Sequence, residues 1–219
     1  MSKKGKLIVF DAIDGAGKTT QVKLLTKRLR QSKKKIHLTD FPQYENSFFG
    51  GMIGQYLHGK FGTTEKTNPY LISLLYALDR FEARDNMRKY LNKGIIIISD
   101  RYSPANKIHQ TTKLKTQAER QKFLRWLDQM EFDVLNIPKP DLVFFLDVTP
   151  SITRKLMITR GNRDMHETNY RHQQQAYKMC QYLSRIYAHW KRIQCLRNGT
   201  LLSPQDIHER VWKEVQKVL

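Results

Sequence analysis

The chain has 219 residues, 40% hydrophobic and 11% aromatic, with a formal net charge of +19 at pH 7. That length suits one large domain with a sizeable core. No apolar run approaches the ~20 residues a membrane helix needs, which excludes a membrane-spanning helix and predicts a globular, soluble chain.

The start, MSKKGKLIVFDAIDG, has basic residues and a short apolar patch, but Asp11 and Asp14 break the patch too early for a secretory leader. A cytoplasmic location is expected, with Cys180 and Cys195, far apart and without metal spacing, as buried reduced thiols. Residues 1–40 carry eleven Lys and Arg against three acids, a net of +8. Such charge can attract polyphosphates or nucleic acid. No nucleic-acid-binding motif accompanies it, so a solvated basic surface without a nucleic-acid partner is expected.

Taken in chain order, Lys6–Phe10 (KLIVF) reads as a first strand and Lys18–Gln31 as a helix with apolar residues at helical spacing. Lys34–Asp40 reads as a second strand, followed by helices near Phe48–Leu57 and Pro69–Leu91. Gly94–Asp100 (GIIIISD) is a third strand, its unbroken β-branched run suited to burial on both faces. Helical stretches occupy about Lys115–Leu135, and Pro140–Val148 is a fourth strand. A helix follows over about Ser151–Thr159, then the polar segment Arg160–Asn169, then a helix to His189. Arg192–Leu196 is a fifth strand, and a last helix opens with Ser203 as cap and Pro204 in its first turn. This alternation predicts a three-layer α/β/α fold, a five-stranded parallel sheet with helices on both faces. Ligands in such folds bind beyond the carboxyl ends of the strands. Polar clusters after Phe10, after Asp40 and at Asp100–Arg101 fall at three of those ends.

The stretch FDAIDGAGKTT, Phe10 to Thr20, joins the first strand to a helix. Its glycines Gly15 and Gly17 let backbone N–H groups curl inward, and the helix N-terminus adds partial positive charge. Asp14, Gly15, Ala16, Gly17, Lys18, Thr19 and Thr20 form the candidate ATP-binding loop, with Lys18 bridging the outer phosphates and the Thr19 hydroxyl available to Mg²⁺. The strict pattern asks for glycine where this chain has Ala12; because the donors come from later residues, Ala12 shifts the loop without emptying it. Tyr76 and Arg80, at i and i+4, share one helix face, an aromatic ring and an arginine that could serve a nucleobase or a core. Asp14 could equally bond its own turn, and Asp100–Arg101 could be a strand-end ion pair.

The loop, together with FPQY (Phe41–Tyr44), LLYALDRFE (Leu74–Glu82), ISDRY (Ile98–Tyr102) and IPKPDLVFFLDV (Ile137–Val148), resembles the thymidylate kinase family over nearly the whole chain, in order and spacing. The resemblance implies a single P-loop kinase domain over residues 1–219, with a lid at about 160–169. It implies Mg²⁺-dependent transfer of the γ-phosphoryl of ATP to dTMP, and a homodimer. It places Asp14 near the acceptor sugar and phosphate, Arg101 on the acceptor phosphate, and Asp100 with Thr19 on magnesium. Phe41, Tyr44, Tyr76, Arg80, Asn106, His109 and Gln110 fall at positions lining the dTMP site, with His109 where many relatives have Tyr beside the sugar 2′ position. Gln43 replaces an arginine found in some relatives. No arginine stands between Asp14 and Lys18, so the lid arginines Arg160 and Arg163 take the catalytic charge, with Arg154 a weaker candidate. Two other readings stay open: a kinase of the same fold for a different monophosphate or a deoxynucleoside, and a catalytically weak nucleotide- or nucleic-acid-binding protein, motivated by Ala12, Gln43 and the charge.

Overall fold

The computed structural model describes residues 4–62, 67–158 and 170–219. Five parallel strands, β1 (Leu7–Asp11), β2 (Ile36–Asp40), β3 (Ile96–Asp100), β4 (Leu142–Asp147) and β5 (Trp190–Gln194), form a sheet in the order β2-β3-β1-β4-β5. All residues of β1 and β4 are buried. That is why these strands are continuous apolar runs and do not alternate: helices cover both faces. The helices are α1 (Lys18–Gln31), α2 (Phe48–Leu57), α3 (Pro69–Asn92), α4 (Ser103–Gln110), α5 (Gln117–Asp128), α6 (Pro150–Ile158), α7 (Tyr170–Ile186) and α8 (Pro204–Gln216). A π-helical turn, Gln129–Val134, continues α5, and a two-stranded hairpin, β6 (Leu196–Arg197) with β7 (Thr200–Leu201), precedes α8.

The helix ends follow local chemistry. Ser203 caps α8 by accepting from the Asp206 N–H at 3.1 Å. Thr116 and Glu119 form a reciprocal capping box at α5. Short α4 lay hidden in the sequence, where Ser103-Pro104 directly after a strand gave no apolar period. The β6–β7 hairpin was also unforeseen, and β5 begins two residues before the expected Arg192 because Trp190 belongs to the core.

Register decides where the polar clusters meet. Phe10 pairs with Asp100 across β1–β3, and Asp40 pairs with Asp100 across β2–β3. The three strands therefore end at one level. The Arg101 N–H donates to Phe10 O at 2.9 Å, and the Phe41 N–H donates to Asp100 O at 3.2 Å. The segments that follow β1, β2 and β3 leave the sheet side by side.

The segment after β2 is held by close packing against α2. A Cβ on Gly50 would sit 2.1 Å from the Gln43 carbonyl oxygen, whereas one on Gly51 would meet nothing nearer than 3.7 Å. Gly50→Ala is expected to cost about 1–3 kcal/mol of unfolding free energy through overpacking. Gly51→Ala is expected to be neutral or stabilising by up to about 1 kcal/mol, from helix propensity. Urea unfolding of both variants checks the pair; equal effects would contradict the packing described.

Candidate active site

Gly15 (φ 78°) and Gly17 (φ 89°) both occupy the left-handed region that favours glycine. Gly17 is the N-cap of α1 and carries no side-chain cap. The first N–H groups of α1 are thus available to an anion, as at other phosphate-binding helix starts. Ala12 is not among the residues of positive φ and is fully buried in the main core. Its methyl packs behind the loop, so the departure from glycine leaves the loop's form intact. Lys18, at the foot of α1, is buried and donates to the carbonyls of Ala12 and Ile13 at 3.2 Å each.

Asp14 is the electrostatic centre. Arg101 Nη2 donates to Asp14 Oδ1, and Lys18 Nζ lies 3.9 Å from the same oxygen. Gln173, in the first turn of α7, grips Asp14 twice: its Oε1 accepts from the Asp14 N–H at 3.2 Å, and its Nε2 donates to Oδ2 at 2.8 Å. Burial alone would raise the Asp14 carboxyl, but the charges of Arg101, Lys18 and His109 and the Gln173 hydrogen bond hold it well below the usual carboxylate range. Arg101 itself has φ 63°, an uncommon conformation for a non-glycine residue, which turns the chain sharply out of β3. At the end of the same strand, Asp100 Oδ2 accepts from Thr19 Oγ1 at 2.7 Å.

Two cavities meet here. One, wide and open to solvent, is bordered by Asp14, Gly15, Gly17, Lys18, Thr19, Thr20 and Asp100. The other, smaller and more enclosed, is lined by all nine candidate acceptor residues: Asp14, Phe41, Tyr44, Tyr76, Arg80, Arg101, Asn106, His109 and Gln110. Asp14, Arg101, Phe41, Pro42 and Tyr44 border both. Ala16 borders neither and is buried behind the loop.

Each wall of the smaller cavity has its own support. Phe41 meets Tyr102 edge-on, ring centroids 5.3 Å apart. Asp79 accepts from the Gln43 N–H at 3.1 Å and from Ser47 Oγ, fixing the segment that carries Phe41 and Tyr44. The Gln43 side chain turns away and donates to Thr39 Oγ1 at 3.1 Å. Arg80 is 1% exposed and Asn106 2% exposed, so both reach the cavity from within the core. His109 stacks on His172, with Nδ1 and Nε2 3.2 Å apart. The Arg154 guanidinium lies over the Tyr170 ring, 5.3 Å from its centroid. Arg160 and Arg163 lie outside the described residues.

Several residues that shape the site escaped the sequence reading. Gln173 and Glu131 sit in ordinary amphipathic stretches, distant in sequence from what they touch, and nothing local marks them. Asp79 precedes Arg80 directly, and its position beside a candidate site residue was a usable signal. Asp11, at the end of β1, is fully buried; its Oδ1 accepts from the Ala12 N–H at 3.0 Å, and its Oδ2 has no hydrogen-bond partner. Burial pushes the Asp11 carboxyl from an ordinary 3.8 up to about 7, against the pull of Lys18 and Arg101.

This raised value has a consequence for stability. The folded state favours neutral Asp11, so its contribution is fully present below about pH 4 and is lost as the pH rises through about 7. Asp11→Asn is expected to raise Tm at both pH 5 and pH 8, and clearly more at pH 8, measured by thermal unfolding. The same shift at both pH values would contradict the assignment.

Comparison with known proteins agrees with this geometry. The sequence model of the family described as thymidylate kinase matches residues 10–211. A thymidylate kinase of Mycobacterium tuberculosis is 30% identical over 158 residues, covering 72% of this chain and 73% of that one. One of Plasmodium falciparum is 28% identical over 219 residues, covering 99% and 92%. The solved structure of thymidylate kinase from Candida albicans superposes with a TM-score of 0.76 at 21% identity, covering 99% of this chain and 93% of that one. The fold is that of the P-loop nucleoside triphosphatases, and the chain belongs to the thymidylate kinase family of phosphotransferases.

Proposed function

We propose that this protein transfers the γ-phosphoryl group of ATP to dTMP, giving dTDP and ADP. The observation that carries the reading is the shared wall. A phosphate loop and a separate aromatic-lined pocket meet at Asp14 and Arg101, where a donor and an acceptor phosphate would come together. The names of the similar proteins point to the same acceptor.

Phosphoryl transfer asks a protein mainly to position the two substrates and neutralise charge. In this reading the loop from Asp14 to Thr20 cradles the ATP phosphates, and Lys18 leaves the Ala12 and Ile13 carbonyls to meet them. Arg101 offers its planar fork to the acceptor phosphate. Asp14 accepts from the acceptor sugar hydroxyl, held in place by Gln173. Tyr76, Phe41 and Tyr44 enclose the base and sugar, Arg80, Asn106 and Gln110 meet the base edge, and His109 occupies the space beside the 2′ position. The acceptor is already a phosphate anion, so no general base is required.

Thr19 Oγ1 and Asp100 Oδ2, hard oxygen donors 2.7 Å apart at the mouth of the loop, suit magnesium. Among the described residues no group of three or more His, Cys, Asp or Glu could hold a metal alone. This is the pattern expected where substrate phosphates complete the shell. Bound with ATP, magnesium supplies neutralisation of phosphate charge. Arg160 and Arg163 are assigned to the lid, where an arginine reaching the transferring group is worth roughly 10³–10⁵ in rate.

The whole chain acts as one kinase domain, residues 160–169 its lid. Homodimerisation is supported by Leu71 and Leu74, exposed at 68% and 39% on α3. Two free buried cysteines suit the reducing cytoplasm, and among the described residues no helix is long and apolar enough to cross a membrane. Nucleic acid is not a partner in this reading.

The test is ADP formation from Mg²⁺-ATP with dTMP, dUMP, dCMP, dGMP, AMP or thymidine offered singly. Turnover confined largely to dTMP, with dUMP behind by the about 10–200-fold that one methyl allows, is the expected result. Lys18→Ala and Arg101→Ala are each expected to lower kcat/KM at least about 100-fold in a protein that still unfolds cooperatively. Turnover with thymidine but not dTMP, or activity retained in either variant, would overturn the assignment.

A further inference from the structure

Behind the base end of the smaller cavity lies a buried polar cluster that the reaction itself does not require. Glu131 is wholly buried on the π-helical turn Gln129–Val134, whose wide backbone ring swings it inward under α3 and α4. Its Oε1 accepts from Arg80 Nη2 at 2.5 Å and from Asn106 Nδ2 at 2.8 Å. Asn106 Nδ2 also donates to the Ser73 carbonyl at 3.1 Å. Glu131 does not line the cavity; Arg80 and Asn106 do.

An amide nitrogen has two hydrogens, and here both are committed. The Asn106 amide therefore has one orientation, in which its carbonyl oxygen is the end offered to a ligand. Arg80 has Nη2 committed to Glu131 and its guanidinium 5.9 Å from the Tyr102 ring centroid, and its inaccessible Nε–H has no hydrogen-bond partner among the described residues. The cavity is thus lined side by side by an arginine, which only donates, and an asparagine whose nitrogen is already committed.

We propose that Glu131 is a positioning residue that sets this polarity, and that through it the site selects a pyrimidine with a ring N–H beside a carbonyl and rejects cytosine. Neither a carboxylate nor the Ser73 carbonyl can donate to Asn106, so the two together hold its amide in one orientation, and Glu131 also ties that amide to Arg80. Cytosine offers the reverse edge, a bare ring nitrogen beside an amino group, and would set acceptor against acceptor and donor against donor. Leaving buried polar groups unpaired in this way is what gives such sites large discrimination. The inference deepens the dTMP kinase reading and rests on it.

Glu131→Gln tests the inference because glutamine keeps the shape but can pair with either end of the Asn106 amide. The variant is expected to raise KM for dTMP about tenfold or more, leave KM for ATP within about twofold, and lower the dTMP-to-dCMP ratio of kcat/KM at least about tenfold. Glu131→Asp, acceptor-only but one methylene shorter, is expected to raise KM for dTMP at least about fivefold while keeping that ratio; it carries the test if the Gln variant does not fold. Equal loss of the ratio in both variants, or an unchanged KM for dTMP in a folded variant, would overturn the proposal. Calorimetric titration of the parent with dTMP and dCMP separates the two levels of the argument. A parent that uses and binds both alike overturns the role of Glu131 and leaves the kinase reading standing. A parent that neither binds nor turns over dTMP overturns both.

Discussion

The ion pair between Arg101 and Asp14 is the constraint on which the rest of the site depends. It ties the loop after β1 to the end of β3, and it forms the wall between the two cavities. The charges around it nearly balance. Asp11, Asp14 and Asp100 face Lys18 and Arg101, and burial pushes the Asp11 carboxyl up to about 7. Two nucleotides arriving at this balanced centre would bring several negative charges that the described residues do not neutralise. The deficit gives the proposed roles of magnesium and the lid arginines Arg160 and Arg163 a physical motive, independent of family resemblance.

Around this centre, residues that line the cavities are distinct from residues that hold them. Helix α3 supplies both kinds in succession: Asp79 anchors the segment bearing Phe41 and Tyr44, and Arg80 enters the pocket. Gln173 holds Asp14 from the first turn of α7, so that helix is stapled to the phosphate loop. Buried polar groups of this kind are costly unless partnered, and each partner they have narrows the arrangements open to them.

Much of the fold could be read from periodicity, because parallel strands buried on both faces are unbroken apolar runs and the helices between them keep a clear apolar stripe. Helix Phe48–Leu57 emerged with the bounds expected, and α3 within one residue. Helix α4 was missed, being eight residues in which polar Asn106 and Gln110 are buried toward the cavity and Lys107 is buried against Asp128, so the period is masked. The candidate ligand-facing residues could be named because they cluster in short motifs. Their supports could not, because Glu131 reaches Arg80 across 51 positions and Gln173 reaches Asp14 across 159, and a lone buried Glu or Gln has no local signature. Ala12 looked like a defect in the sequence; the structure shows a position that needs no left-handed backbone and has room for a methyl.

The central claim is that donor and acceptor phosphates meet at the wall made by Asp14 and Arg101. A bisubstrate compound, adenosine and thymidine joined 5′ to 5′ through a polyphosphate chain, probes it most directly. The account predicts one molecule bound per chain by calorimetry, competitive against both ATP and dTMP, with affinity lost in Arg101→Ala. A compound that displaces ATP but leaves dTMP bound would contradict it, because the two cavities would then not share the wall described.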